Sequence, residues 1–392
     1  MQPSPPFLTM SLNTFSPRAS FLQPKDLPQL SKNSSVIIIG AGAFGGWTAL
    51  SLLRKGLDVT LIDAWGPGNS RSSSGDETRV IRSTYGANEF YFDLNVRALQ
   101  LWKENEKRWG KKLFFNTGVL WFCYEEKTPL VDDSIPFAEK HSMTYSYLTS
   151  AEVKRKFPQI NTNDIHHGYL DSYGGYLKAR ESCQAVNEAF IKEGGKYIQS
   201  FVTPGKIQSG ILREVFLSDG SSRQADVYLF ACGSWLGQLF PEVLANKITC
   251  TKQEVYYFGV PKDQASVYDS LPVWVDVDGH DFYYGIPGNT QRGFKIGVDR
   301  RGENFDPTHG DRTYNPDVLA HARAFISHRF PGLKNAPLLE SRVCPYENSP
   351  DGNFIFEKHP DAGNIIFLGG GSGHGFKHGP ALGEWVANVL GG

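Results

Sequence analysis

Val36-Ile37-Ile38-Ile39 runs without a break into Gly40-Ala41-Gly42-Ala43-Phe44-Gly45. Such a β-branched run reads as a strand buried on both faces. The helix pattern that follows, Gly46 to Lys55, is ended by Gly56. Asp58 to Asp63 reads as a second buried strand, and Asp63 stands 23 positions after Gly40. Strand, Gly-x-Gly-x-x-Gly turn, helix, strand and terminal acid make a βαβ unit of the dinucleotide-binding kind. Gly40 permits the tight turn, Gly42 lets a pyrophosphate approach the backbone, and Gly45 lets helix and strand pack closely. The helix N-terminus offers phosphates unpaired N–H groups and a positive dipole end. Asp63 is placed to accept hydrogen bonds from ribose hydroxyls. The motif does not separate a nicotinamide from a flavin dinucleotide.

A second strand-glycine-helix unit lies at the far end of the chain. Ile365-Ile366-Phe367-Leu368 leads through Gly369 to Gly375 into a helix from Pro380. Between the two ends, helices are expected over Asn88 to Arg108, Ala179 to Glu193 and Pro316 to Phe330. A short helix over Thr149 to Arg155 has Ser150 as its expected N-cap. Phe114 to Tyr124 reads as one strand carrying Gly118. Asp219-Gly220 marks a hairpin between Leu212 to Leu217 and Arg223 to Ala231. The nucleotide domain is therefore expected to be discontinuous, with a sheet-rich second domain in the middle.

Length and charge narrow the classes. The 392 residues allow two domains, and 40 Lys+Arg against 41 Asp+Glu leave a net charge of -1, which argues against a basic nucleic-acid binder. No apolar run is long enough to span a membrane. Five cysteines without a CxxC pair exclude a disulfide scaffold or a zinc ribbon, and no metal-ligand spacing is present. Residues 1–33, rich in Ser and Pro, read as a disordered extension with organellar import left open.

Several residues can carry chemistry. Arg79 and Arg82 would share one face of a helical turn and point apart on a strand; either could clamp a carboxylate in a bidentate way or simply be solvated. Lys295 lies in the strand-like Gly293-Phe294-Lys295-Ile296-Gly297; most strand lysines face solvent, whereas a buried amine is costly and tends to be functional. Spacing alone does not distinguish Cys344 from Cys123, Cys183, Cys232 and Cys250, which read as core filler. His374, in Ser372-Gly373-His374-Gly375-Phe376-Lys377, is either a ligand-binding or a packed loop residue.

From about Val36 to the last residue, the sequence resembles the monomeric sarcosine oxidase family, which includes N-methyltryptophan, pipecolate and fructosyl-amine oxidases. The most specific likeness is Gly371-Ser372-Gly373-His374-Gly375-Phe376-Lys377, together with Cys344-Pro345-Tyr346-Glu347-Asn348-Ser349-Pro350-Asp351 at the family's separation. The resemblance implies an α/β fold: a discontinuous FAD-binding Rossmann-like domain packed on a substrate domain with a mixed, mostly antiparallel sheet, as in glutathione reductase and D-amino-acid oxidase. We place the FAD domain at 34–110, 170–240 and 341–392, and the substrate domain at 111–169 and 241–340. The implied activity is an FAD-dependent oxidase of an amino acid or N-substituted amino acid, giving an imine and hydrogen peroxide.

The same resemblance implies roles. Cys344 would join the flavin through its sulfur. Lys295 would lie over the flavin and assist its reaction with oxygen through its charge. Arg82 and Lys377 would hold the substrate carboxylate, Tyr284 and Tyr346 would line its cavity, and Arg79 would sit near the flavin ring. Gly40, Gly42, Gly45, Asp63, Ser74, Gly233, Gly371, Gly373, His374, Gly375, Phe376 and Lys377 are assigned to the cofactor. Three departures stand out. Gly75-Asp76-Glu77-Thr78-Arg79 carries one extra residue. Asp299 stands where sarcosine oxidase has a histidine and would favour a cationic side chain or a different amine. Trp274 falls near a methionine of the family's cavity and would shrink the pocket. The expected partners are a carboxylated amine and oxygen, with no nucleic acid and no membrane, in a cytoplasmic monomer. A flavin dehydrogenase or tailoring enzyme, a binding flavoprotein and a nicotinamide reductase are the alternatives.

Overall fold

The computed structural model describes residues 27–277, 282–287 and 292–391. Its first layer is a six-stranded sheet in the order Ile355–Lys358, Ile365–Gly369, Val227–Phe230, Ser35–Ile39, Asp58–Asp63, Lys196–Gln199. All neighbours are parallel except the antiparallel edge strand Ile355–Lys358. The central strands are apolar on both faces because both are covered. Val36, Ile38, Val59, Leu61, Val227, Leu229 and Ile366 face the helices Ala43–Arg54, Glu89–Trp109 and Gly379–Gly391. Ile37, Ile39, Tyr228, Phe230 and Phe367 face the other way, onto Val215, Leu217, Leu236 and Phe240. Residues distant in sequence thus share one sheet, as the discontinuous reading requires.

The second layer is an eight-stranded sheet in the order Leu338–Val343, Glu254–Phe258, Phe294–Val298, Phe282–Ile286, Val273–Val277, Val119–Cys123, His167–Asp171, Tyr145–Thr149. It is antiparallel apart from the pairing of Val273–Val277 with Val119–Cys123. Phe122, Tyr256, Trp274, Tyr283 and Phe294 pack against Ala322 and Ile326 of the helix Pro316–Arg329. The opposite face carries Lys295, Tyr257 and Tyr284, because successive strand residues alternate sides. A three-stranded sheet, Thr78–Ile81, Gly175–Lys178 and Phe114–Phe115, joins the two layers.

Some local expectations are corrected. The strand expected over Phe114 to Tyr124 is two strands, Phe114–Phe115 and Val119–Cys123. Gly118, at φ 76, breaks it in a conformation that side chains resist. Thr149, not Ser150, caps the helix Ser150–Lys156; its side chain accepts from the Glu152 N–H in a capping box. The expected extension 1–33 lies outside the described residues as far as residue 26. The remainder docks on the molecule: the Leu30 N–H donates to the Leu390 carbonyl at 2.7 Å, and Leu27 is buried.

Candidate active site

The cofactor crevice opens at the C-terminal end of Ser35–Ile39, where bound nucleotides meet open α/β sheets. A Cβ on Gly40, at φ +108, would stand 2.2 Å from the Ala231 carbonyl oxygen, and one on Gly45 would stand 1.9 Å from that of Gly40. These two glycines let the turn close and the helix Ala43–Arg54 reach the sheet. Gly42 is different: its Cβ would meet only the Ser74 hydroxyl, at 3.5 Å. The helix has neither a side-chain cap nor an acid in its first turn, so its N-terminus is left open to an anion. The Ala43 N–H donates to the Ser74 hydroxyl at 3.2 Å.

From this turn a cavity of about 310 Å³ runs past Asp63, Gly233, Arg79 and Tyr346 to Gly371, Gly373 and Gly375. A Cβ on Gly373 would come within 2.4 Å of the Tyr346 ring, and one on Gly375 within 2.7 Å of the Phe44 ring. The glycine turn therefore closes against two aromatic rings, and Phe376 also lines the cavity. Asp63 accepts the backbone N–H groups of Ala41 at 2.7 Å, Trp65 at 2.9 Å and Gly66 at 2.7 Å. Burial pushes its carboxyl above the usual carboxylate range, and these three donors pull it back. Most of its acceptor capacity thus holds the loop, and a smaller share than expected remains for a ribose.

Arg79 and Arg82 sit on and just after the strand Thr78–Ile81, so the extended alternative applies. Arg79 turns to the Asp76 carboxylate at 2.7 Å and the Ser73 carbonyl at 2.6 Å. Burial pushes the Cys344 thiol up, and the Arg79 charge draws it down. The two acids before Arg79 part company. Asp76 turns inward, while Glu77 meets Arg342 at 3.1 Å and Arg292 at 3.4 Å.

Lys295 is wholly buried. Its ammonium donates to Asp76 Oδ2, to the Thr78 carbonyl at 2.8 Å and to the Thr78 hydroxyl at 3.3 Å. Asp76 also accepts the Tyr257 hydroxyl at 2.8 Å. Burial pulls the Lys295 amine below its ordinary value and Asp76 opposes this; Lys295 and Arg79 together hold Asp76 far below the carboxylate range despite its burial. All three ammonium protons are therefore engaged.

Arg82 lies over the Tyr85 ring at 4.6 Å and the Trp121 ring at 5.2 Å. Lys377 lies over Tyr85 as well, at 5.2 Å, and donates to the His374 carbonyl at 2.7 Å. One tyrosine ring thus positions both cations of the expected clamp. Burial and then Arg82 push the Lys377 amine down. His374 Nε2 donates to the Gly352 carbonyl at 2.9 Å, so His374 Nδ1 accepts the Tyr85 hydroxyl at 3.2 Å. His378 Nε2 then donates to the Tyr85 oxygen at 2.8 Å. Burial holds the His374 imidazole down, at about 3, so both rings are neutral supports.

Tyr284 and Gly297 are cross-strand partners, and burial raises the hydroxyls of both Tyr284 and Tyr346. Asp299 follows on the strand Phe294–Val298, with Oδ1 at 3.5 Å from Arg301. Burial raises its carboxyl, while Arg301, Arg82 and Lys377 draw it down. Trp274 is not in this cavity. It lies flat against Gly285, stacked with Phe294 and Phe325 on the opposite face of the sheet. Val275 stands opposite Tyr284, so the strand's alternation puts Val275 on the site side. Sequence reasoning missed Tyr85, Tyr257 and Glu347. Tyr85 was findable, standing three positions after Arg82.

A family model described as FAD dependent oxidoreductase matches residues 35–389. The chain is 30% identical over 358 residues to the peroxisomal sarcosine oxidase of Homo sapiens, covering 89% of this chain and 90% of that protein. It is 28% identical over 369 residues to a monomeric sarcosine oxidase of Bacillus sp. (strain B-0618), covering 92% and 93%. Among solved structures, L-proline dehydrogenase from P. horikoshii superposes with a TM-score of 0.78 at 22% identity, covering 93% and 94%. The fructosamine oxidase Amadoriase II from Aspergillus fumigatus does so with 0.77 at 20%, covering 92% and 87%. These structural likenesses establish the α/β fold with a mixed second sheet.

Proposed function

The chain belongs to the FAD dependent oxidoreductase family, and from that premise we propose that it oxidises the C–N bond of an amino acid or N-substituted amino acid and releases hydrogen peroxide. The carrying observation is the pair of cations, Arg82 and Lys377, gathered over one Tyr85 ring beside the glycine turn of the crevice. The residues present fit FAD. The open helix N-terminus suits a pyrophosphate, the side-chain-free turns admit close approach, and Cys344 stands beside Arg79, which favours its thiolate. We assign Cys344 as the covalent anchor of the flavin and read the protein as a monomer.

Bound FAD would supply hydride acceptance from the carbon bearing the amine and onward transfer of the electron pair to oxygen. Arg82 and Lys377 hold the substrate carboxylate. Lys377 has one hydrogen bond among the described residues, to the His374 carbonyl, which leaves two ammonium protons for this task. Tyr346 lines the cavity, and Tyr284, on the same face of the second sheet as Lys295, is assigned with it to exclude water from the substrate. Such orientation can supply roughly 7–11 kcal/mol of barrier reduction in favourable reactions. The substrate carbon loses a hydride and its nitrogen a proton, giving an imine, which water hydrolyses to a carbonyl compound and an amine. Oxygen takes up the two electrons with two protons and leaves as hydrogen peroxide, with the Lys295 charge near the developing anion.

A second reading is favoured by the full engagement of Lys295 with Asp76 and Thr78. On that reading the electrons leave to an acceptor other than oxygen. A panel of primary and N-alkyl amino acids, assayed for peroxide, decides between them. Peroxide released in step with substrate loss supports the oxidase, and substrate loss only with an artificial dye supports the dehydrogenase.

A further inference from the structure

Glu347 is a buried acid at the cofactor crevice that no step above uses. It lies on the strand Tyr346–Asn348, opposite Cys250 in the antiparallel pairing with Thr249–Thr251. The residue is 8% exposed and lines the cavity. Its Oε1 accepts the Gly371 N–H at 3.3 Å. Its Oε2 is buried and has no hydrogen-bond partner among the described residues. A Cβ on Gly369 would stand 3.2 Å from Oε2, and one on Gly371 3.4 Å from Oε1, so bare backbone surrounds the carboxyl.

A buried carboxylate with no ion pair loses its hydration and gains little in return, so burial favours its protonated form. Burial pushes Glu347 up to about 7, against the pull of the Gly370 and Gly371 N–H groups. A protonated carboxyl carries one O–H donor. The crevice is read to take FAD, whose linker between flavin ring and adenosine consists of hydroxyl and diphosphate oxygens. A negative charge facing the diphosphate would repel it, whereas a neutral acid donates a hydrogen bond to it.

We propose that Glu347 is a cofactor-binding residue that meets the FAD linker as a neutral acid, its Oε2 hydroxyl donating to a linker oxygen. The proposal rests on the reading that the crevice holds FAD and is independent of which amine is oxidised. Titratable groups facing Glu347 are few. Thr249–Thr251 brings Cys250, raised by burial to about 11, and the turn after Val227–Phe230 brings Cys232, raised well above its ordinary value. Its own strand brings Tyr346, likewise raised; the turn after Ile365–Gly369 brings Ser372, and Asp63 and Arg79 line the same cavity without an ion pair to Glu347 among the described residues. None of the thiols or phenols ionises near neutral pH.

The test uses the full chain carrying Cys344→Ala, so that flavin binding is reversible, with Glu347 as the natural residue, as Glu347→Gln and as Glu347→Ala. Flavin fluorescence gives the FAD Kd from about pH 6 to about pH 9. With Glu347 present, the Kd is expected to rise above about pH 7, approaching tenfold per pH unit. With Glu347→Gln it stays flat and near the low-pH value, because the amide also donates. With Glu347→Ala it is about 2- to 10-fold weaker at low pH and flat. An affinity that strengthens with pH, a pH-independent Kd with Glu347 present, or no FAD binding at all overturns the proposal. The profile of the chain with Glu347 intact needs no folding of a second variant. Peroxide release by the wild type, measured separately, tests the oxidase reading.

Discussion

Lys295 and Asp76 form an ion pair in which neither side chain reaches solvent. The pair ties the strand Phe294–Val298 of the second sheet to the segment preceding Thr78–Ile81, and Tyr257 and Arg79 complete it. Two buried charges without water depend on each other: the loss of one partner strands the other.

Asp76→Asn is therefore expected to lower stability by about 3–5 kcal/mol in denaturant unfolding, because it leaves both Lys295 and Arg79 uncompensated. Lys295→Met is expected to cost less, since Arg79 and Tyr257 still hold Asp76. In rapid mixing, Lys295→Met is expected to slow reoxidation by oxygen far more than reduction by substrate. Equal slowing of the two half-reactions would remove Lys295 from the oxygen step.

Cys344→Ala is expected to leave flavin extractable by acid precipitation, while the wild-type pellet stays yellow. The flavin content of pellet and supernatant is the readout, and a yellow pellet from the variant would move the anchor elsewhere.

Arg82→Ala is expected to lower kcat/KM for carboxylated amines roughly 10- to 150-fold, the range of one charge-assisted hydrogen bond. Tyr85→Phe keeps the ring under both cations and is expected to cost less than Tyr85→Leu, which removes it. The ordering of the three variants is the measurement, and an unchanged Arg82→Ala would place the carboxylate elsewhere.

His374 gives the stability a pH dependence. Its folded value, about 3, lies below the ordinary 6.5, so the unfolded chain binds protons that the folded chain refuses. The stabilisation is present above about 6.5 and is lost as the pH falls toward about 3. Thermal unfolding is expected to show this slope, and His374→Gln is expected to reduce it, His378 supplying the remainder.

The sequence was most legible where local chemistry dictates geometry. The βαβ unit at Val36 to Asp63 could be read because each glycine answers a separate steric demand. The helix Glu89–Trp109 was readable from its amphipathic pattern, and the structure adds the Asn88 side-chain cap and the left-handed Gly110 at its ends. Trp274 was misplaced because successive strand residues face opposite sides of the sheet, and it is the neighbouring Val275 that lies on the side of Tyr284. Asp76 and Glu347 were hidden because burial decides their meaning. An acid two residues from a threonine or one after a tyrosine carries no mark of burial. Spacing marked Asp63 for a ribose but could not reveal that three backbone N–H groups also bind it.

Reduction of the bound flavin under anaerobic conditions tests the central claim most directly. Purified holoenzyme mixed with N-methyl amino acids in the absence of oxygen is expected to lose its yellow absorbance, and to regain it with one peroxide per flavin when oxygen is admitted. A flavin that stays yellow with every carboxylated amine, or a purified chain that carries no flavin, would contradict the account.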